Sequence, residues 1–130
     1  MEKDLIFRMP ASMVLALRGK IEQFGQYLAS SYGWSYRVKT TPGSEVMGPV
    51  LYIRNHKNVL LFLVFFITEV PRAPGVNGVH VSLTQVAQER IDKAVVKKGI
   101  LDAIIHALDL MPEVVNFTVT SDEKSVLRQW

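Results

Sequence analysis

Nine consecutive apolar residues, Val59–Ile67, constrain the fold of this chain more than any other feature. The run is too short to cross a membrane as a helix, which needs about 20 residues. It is rich in β-branched and aromatic residues, so we interpret it as a β-strand. Because side chains alternate across a strand, both faces carry apolar groups that helices of this chain or another chain must cover. Aspartate at either Leu63 or Val64 is therefore expected to make the protein insoluble.

Length and composition predict a single α+β domain over residues 1–130. Of the 130 residues, 48% are hydrophobic and 21% are charged, which is ordinary for a globular protein. The chain has no cysteine, which excludes a disulfide framework and thiolate catalysis and argues against structural zinc. Its first residues have mixed charge and do not resemble a signal peptide, so we expect a cytoplasmic protein. The sequence has no P-loop or dinucleotide-binding motif, so no cofactor is expected.

Helical periodicity occurs in two parts of the chain. Apolar residues recur at steps of three and four over Val14–Leu28, which predicts an N-terminal amphipathic helix. A second helix is expected after a cap at Ser82 or Thr84. Gly99 separates it from a further helix, or a kinked continuation, that extends to Pro112. The sequence therefore predicts a C-terminal helical pair.

Strand patterns fill most of the remaining chain. Several of them follow one another through short connections, which favours antiparallel pairing because parallel strands need long crossovers. After the last strand, Ser121 is expected to cap a terminal helical turn that includes Val126, Leu127 and Trp130. We therefore predict a mainly antiparallel sheet. Its strands are expected at Leu5–Phe7, Trp34–Thr40, Val50–Arg54, Val59–Ile67, Val79–Leu83 and Phe117–Thr120.

Positive charge is concentrated in the first half of the chain. Residues 5–68 carry seven basic and two acidic side chains, a balance of +5. The remaining residues carry eight basic and ten acidic side chains, a balance of −2, although the whole chain is only +3. Such an asymmetry is typical of a solvated surface, but it also occurs where a protein binds an anionic partner.

A candidate anion or nucleic-acid site lies within this basic half. Arg37 and Lys39 share one face of a predicted strand, and Arg54 is expected beside them on the next strand. Trp34 and Tyr36 supply aromatic rings in the same region. Basic and aromatic side chains on a sheet can hold phosphates and stack bases, although no RNP-like motif accompanies them here.

Catalytic and metal motifs are not found in the sequence. His106 lies between Asp102 and Asp109 at helical spacing, an arrangement that could orient an imidazole as a general base. No candidate nucleophile or second acid lies near it in the sequence. We therefore expect no catalytic residues, no metal site and no enzymatic activity.

The patterns above predict a non-enzymatic interaction or assembly module. The two-faced strand favours self-association through apolar surface on the sheet or on the Gly99–Met111 helix, and a different protein partner is an alternative. The second hypothesis is nucleic-acid binding through the basic, aromatic sheet face around Arg37, Lys39 and Arg54. No membrane partner is expected.

Overall fold

The computed structural model describes residues 4–40, 48–68, 77–111, 118–121 and 126–129. Within these ranges the chain forms seven strands and four helices, which confirms the α+β class. In chain order the elements are β1 (Asp4–Arg8), α1 (Ala11–Arg18), α2 (Ile21–Tyr32), β2 (Ser35–Lys39), β3 (Val50–Arg54), β4 (Leu60–Ile67), β5 (Gly78–Leu83), α3 (Gln85–Arg90), α4 (Lys93–Asp109), β6 (Thr118–Ser121) and β7 (Val126–Gln129).

All seven strands belong to one sheet, in the order β2-β3-β4-β5-β1-β6-β7. Every neighbouring pair is antiparallel, so the predicted antiparallel sheet is confirmed. Strands β2 to β5 form a meander, and β1 returns to pair with β5 on one side and β6 on the other. The apolar run from the sequence is β4, which has neighbouring strands on both sides.

A tight turn at Asn55 sets the β3–β4 hairpin. The side-chain oxygen of Asn55 accepts hydrogen bonds from the backbone N–H groups of Lys57, at 2.9 Å, and Val59, at 3.0 Å. Asn58 adopts a left-handed conformation with φ of 64°, which asparagine tolerates better than most residues. The register then shifts by one residue opposite Arg54, so β4 enters the sheet through a bulge.

The hydrophobic core lies between the sheet and the helices. On β4, Phe62, Val64 and Phe66 are fully buried on the helix side. Phe24 of α2 packs edge-on against Phe66 with the ring centroids 5.4 Å apart. Helix α2 approaches strand β2 closely because Gly25 has no side chain: a Cβ there would lie 2.5 Å from the ring of Tyr36. One face of the sheet is thus covered by the chain itself.

The single N-terminal helix expected from the sequence is two helices, α1 and α2. The break falls at Gly19 and Lys20. Gly19 ends α1, with its N–H bonded to the carbonyl of Leu15 at 3.2 Å, and Lys20 leaves the helical region with φ of −116°. The apolar stripe continues across the break, which explains why periodicity alone does not reveal it.

The C-terminal helical pair is present, but its boundary differs from the prediction. Thr84, and not Ser82, caps α3, and its side chain accepts from the N–H of Ala87 at 3.3 Å. The break falls at Asp92, whose side chain caps α4 by accepting from the N–H of Ala94 at 2.9 Å. Gly99 lies inside α4, where a Cβ would come within 3.0 Å of the ring of Tyr32.

The predicted terminal helical turn is wrong for Val126 and Leu127, because these residues belong to strand β7. Backbone pairing with β6, including Val119 opposite Arg128, fixes them in the sheet. Without β7, one side of β6 would leave unpaired N–H and carbonyl groups at the sheet edge. Trp130 lies outside the described residues.

A substitution at Gly78 tests the close pairing of β5 with β1. A Cβ at this position would overlap the carbonyl oxygen of Phe7 and lie 3.2 Å from the Cα of Arg8. Because backbone atoms cannot move aside as a flexible side chain can, we expect Gly78→Ala to lower the free energy of unfolding by about 1–3 kcal/mol. Urea denaturation followed by circular dichroism measures this loss.

Gly19→Ala is the matched control for this substitution. Its Cβ would meet nothing nearer than the carbonyl oxygen of Ala16 at 3.4 Å, and Gly19 already has a helical φ of −67°. We expect unchanged or slightly higher stability, because alanine restricts the unfolded chain more than glycine does. Equal stabilities for the two variants would contradict the described β5–β1 packing.

Candidate interaction surface

The sheet face turned away from the helices is called the open face here. None of the described helices lies on it, because all four pack on the side of Phe62, Val64 and Phe66. Its central side chains are half-buried and do not belong to the core cluster. Val50 is only 6% exposed, yet it too lies outside that cluster. The apolar members of this face are Ile6, Val50, Tyr52, Leu63, Phe65 and Ile67.

Strand pairing arranges the open face into two rows across five strands. Each row has a basic residue at β2 and an apolar residue at β4, and the first row ends on an acidic residue at β1. Along the first row charge therefore changes from basic at β2 to acidic at β1, whereas Arg8, on the same face of β1, lies across from Gly78 outside both rows. The first row is Arg37, Tyr52, Leu63, Ser82 and Asp4, and the second is Lys39, Val50, Phe65, His80 and Ile6.

Three cations surround Tyr52 at one end of the open face. The Lys39 ammonium lies 4.6 Å from the centroid of the Tyr52 ring, and the Arg54 guanidinium carbon lies 5.9 Å from it. Arg37 pairs directly across from Tyr52. Within the described part of the chain none of the three cations forms an ion pair. We call Arg37, Lys39, Arg54 and Tyr52 the basic cluster; cation–π attraction helps to hold it together.

The structure places Trp34 and Tyr36, the other two predicted site residues, on the opposite face. Trp34 packs edge-on against Phe62 of the core, with the ring centroids 5.4 Å apart. Tyr36 donates a hydrogen bond to Glu22 of α2 at 2.8 Å, and this bond raises the pKa of the Tyr36 hydroxyl because it favours the protonated form. The aromatic ring among the cations is instead that of Tyr52. Strand alternation puts Tyr52 on the same face as Arg54 and opposite to Ile53, so the sequence pattern was sufficient to predict its position.

Two shallow hollows lie at the two ends of the open face. The basic hollow encloses about 220 Å³ beside the basic cluster, and the apolar hollow encloses about 240 Å³ over β4, β5 and β1. The basic hollow is lined by Ser35, Tyr36, Arg37, Tyr52, Arg54 and Asn58. The apolar hollow is lined by Asp4, Phe65, Ile67, His80, Val81 and Ser82.

The carboxylates near His106 have other partners. The His106 ring stacks on Tyr27, with centroids 4.9 Å apart and planes 23° from parallel. Asp102 forms an ion pair with Lys98 at 3.2 Å, and the Asp109 carboxylate lies 4.0 Å from the Arg128 guanidinium. Among the described residues, His106 forms no ion pair with either carboxylate. The described residues contain no metal-binding group of three side chains and no helix able to span a membrane.

Comparisons with other proteins give no match of any kind. The chain matches no protein-family model, no curated protein and no solved structure.

Proposed function

We propose that this protein is a non-enzymatic assembly module that self-associates through the open face of its sheet. The observation that carries the proposal is the apolar centre of this face. Leu63, Phe65 and Ile67 are only half-buried in the isolated chain, although they lie on an inner strand of the sheet. Contiguous apolar patches of this kind mark interaction sites in soluble proteins. A second sheet packed about 10 Å away would cover them.

Burial within α4 favours the sheet over the helix as the contact surface. The Gly99–Met111 helix was the alternative surface predicted from the sequence, but Ile100, Ile104 and Leu108 are fully buried in the core. Leu101 and Ile105 are half-buried on the same helix. Leu110 is 58% exposed and stands at the end of the helix. A single exposed leucine is normal for a protein surface and does not form a patch.

The basic residues of β2 disfavour association by edge pairing. Arg37 and Lys39 project from β2, which is the strand at one edge of the sheet. Charged side chains on an edge strand hinder the addition of another strand from a second molecule. Contact between faces, with an apolar centre and a polar rim that together bury more than about 1,200 Å², fits this distribution better.

Two neighbouring residues of β4 test the proposal because they point to opposite faces. Val64 is fully buried against the helices, whereas Leu63 lies half-buried on the open face. We expect Val64→Asp to unfold the protein, since an unpaired buried carboxylate costs several kcal/mol. Leu63→Asp is expected to fold and to weaken self-association at least about tenfold. The sequence alone predicted that both variants would be insoluble, whereas the structure predicts different outcomes for them. Thermal melting and sedimentation at micromolar concentration distinguish these results.

Leu15→Asp provides the control for the Leu63→Asp variant. Leu15 is 53% exposed on α1, on the helix side of the molecule, so the same chemical change falls outside the open face. This variant is expected to associate like the parent protein. A parent protein that stays monomeric over a hundredfold range of concentration, or equal effects of the two variants, would reject the proposal.

A second candidate function, binding of single-stranded nucleic acid, is supported by the basic cluster. Its three cations gather around one aromatic ring, and no described acidic residue pairs with them. Nucleic-acid phosphates are attracted to such a cluster, and bases can stack on an aromatic ring such as that of the half-buried Tyr52. The basic hollow beside Tyr52, with a volume of about 220 Å³, offers room for a phosphate group.

Matched charge reversals test this second candidate. We expect Arg37→Glu/Lys39→Glu to weaken binding of a labelled single-stranded oligonucleotide and to lower its salt dependence by about one unit per lost phosphate contact. Lys97→Glu/Lys98→Glu is the control, because both residues lie on α4 and Lys98 already pairs with Asp102. Fluorescence anisotropy at several salt concentrations measures both. No binding by the parent at low salt, or equal losses in both variants, would exclude a defined nucleic-acid site.

A further inference from the structure

We propose that two copies pack their open faces around a two-fold axis that runs along β4, so that Arg37 of each copy meets Asp4 of the other. This inference rests on the proposed self-association and specifies its geometry. It follows from the order of residues in the two rows of the open face and from the distribution of charge along them. The occupant of the open face is thus a second copy of this chain.

The first row is centred on β4. Leu63 stands at its middle, with Arg37 two strands away on one side and Asp4 two strands away on the other. At about 4.8 Å per strand, each charge lies roughly 10 Å from the centre. A two-fold axis parallel to β4 and above Leu63 reverses the order of the strands but keeps positions along them. It therefore brings Arg37 over Asp4, and Asp4 over Arg37.

The charges involved are available for such a contact. Asp4 and Arg37 are both exposed, and neither has an ion-pair partner among the described residues. A two-fold interface forms every contact twice, so one complementary pair in the row supplies two ion pairs in the dimer. Charge complementarity of this kind fixes the orientation of two partners more than it adds to their affinity.

The apolar residues and the apolar hollow fit the same axis. In the first row the axis brings Tyr52 of one copy over Ser82 of the other, and Ser82 lines the apolar hollow of about 240 Å³. In the second row Phe65 meets its own equivalent at the centre. The hollow therefore has a specific occupant, the ring of Tyr52 from the second copy.

The other face-to-face arrangement is disfavoured by like charges. An axis perpendicular to the strands would place β2 over β2 and β3 over β3. Arg37, Lys39 and Arg54 would then lie over the same two strands of the second copy, which contain no acidic residue, and Arg37 would oppose its own equivalent when the axis crosses the first row. Like charges held together at a partly desolvated interface repel strongly. The distribution of charge on the open face thus selects the axis along β4.

A mixing experiment with two single variants tests this geometry. In Asp4→Arg homodimers both contacts would join two arginines, and in Arg37→Asp homodimers both would join two aspartates. We expect each variant alone to dissociate at least about tenfold more readily than the parent. In an equimolar mixture both contacts of the heterodimer are complementary, so heterodimers should form preferentially and with near-parent affinity. Native mass spectrometry separates the three dimers by mass.

The control replaces Arg37→Asp by Lys97→Asp, which places the same charge reversal on α4 away from the open face. Its mixture with Asp4→Arg should show no preference for the heterodimer. If the parent is monomeric throughout, both the self-association and this geometry are overturned. If the parent dimerises but the two variants neither weaken the dimer nor form heterodimers preferentially, only the axis along β4 is rejected.

Discussion

The burial of one side of β4 beneath the helices is the interaction on which the rest of the fold depends. Phe62, Val64 and Phe66 are fully buried, and Phe24 of α2 packs edge-on against Phe66. Each such side chain stabilises the fold by about 1.5–3 kcal/mol when it is removed from water. Because strand side chains alternate, the burial that holds the helices also directs Leu63 and Phe65 to the opposite side. The alternation of side chains along β4 therefore supplies both the buried core and the apolar centre of the open face.

The first row of the open face combines an apolar centre, Leu63, with charges of opposite sign at its two ends. Pairing of β1 with β5 places Asp4 in the same row as Leu63, although the two residues lie far apart in the sequence. Pairing of β2 with β3 places Arg37 at the other end of that row. The topology of the sheet, more than any local motif, therefore creates a surface that can be complementary to itself.

Periodicity was sufficient to predict the types of most elements and the position of the inner strand β4. It could not locate the helix breaks, because Gly19 lies at the first break whereas Gly99 lies inside α4, and the second break falls instead at the cap residue Asp92. The pairing of β7 with β6 depends on the sheet as a whole. Strand alternation correctly placed Tyr36 and Arg37 on opposite faces of the sheet, but only the packing of α2 shows which of the two faces is covered.

Cysteine crosslinking at the centre of the open face tests self-association most directly, because the chain has no cysteine of its own. Two sheets packed about 10 Å apart around an axis above Leu63 would bring two Leu63→Cys thiols within reach of a short bifunctional maleimide. We expect rapid formation of a covalent dimer at micromolar concentration, whereas Leu15→Cys, exposed on α1, should crosslink slowly. Equal rates for the two variants, or faster crosslinking at Leu15, would contradict the proposed interface.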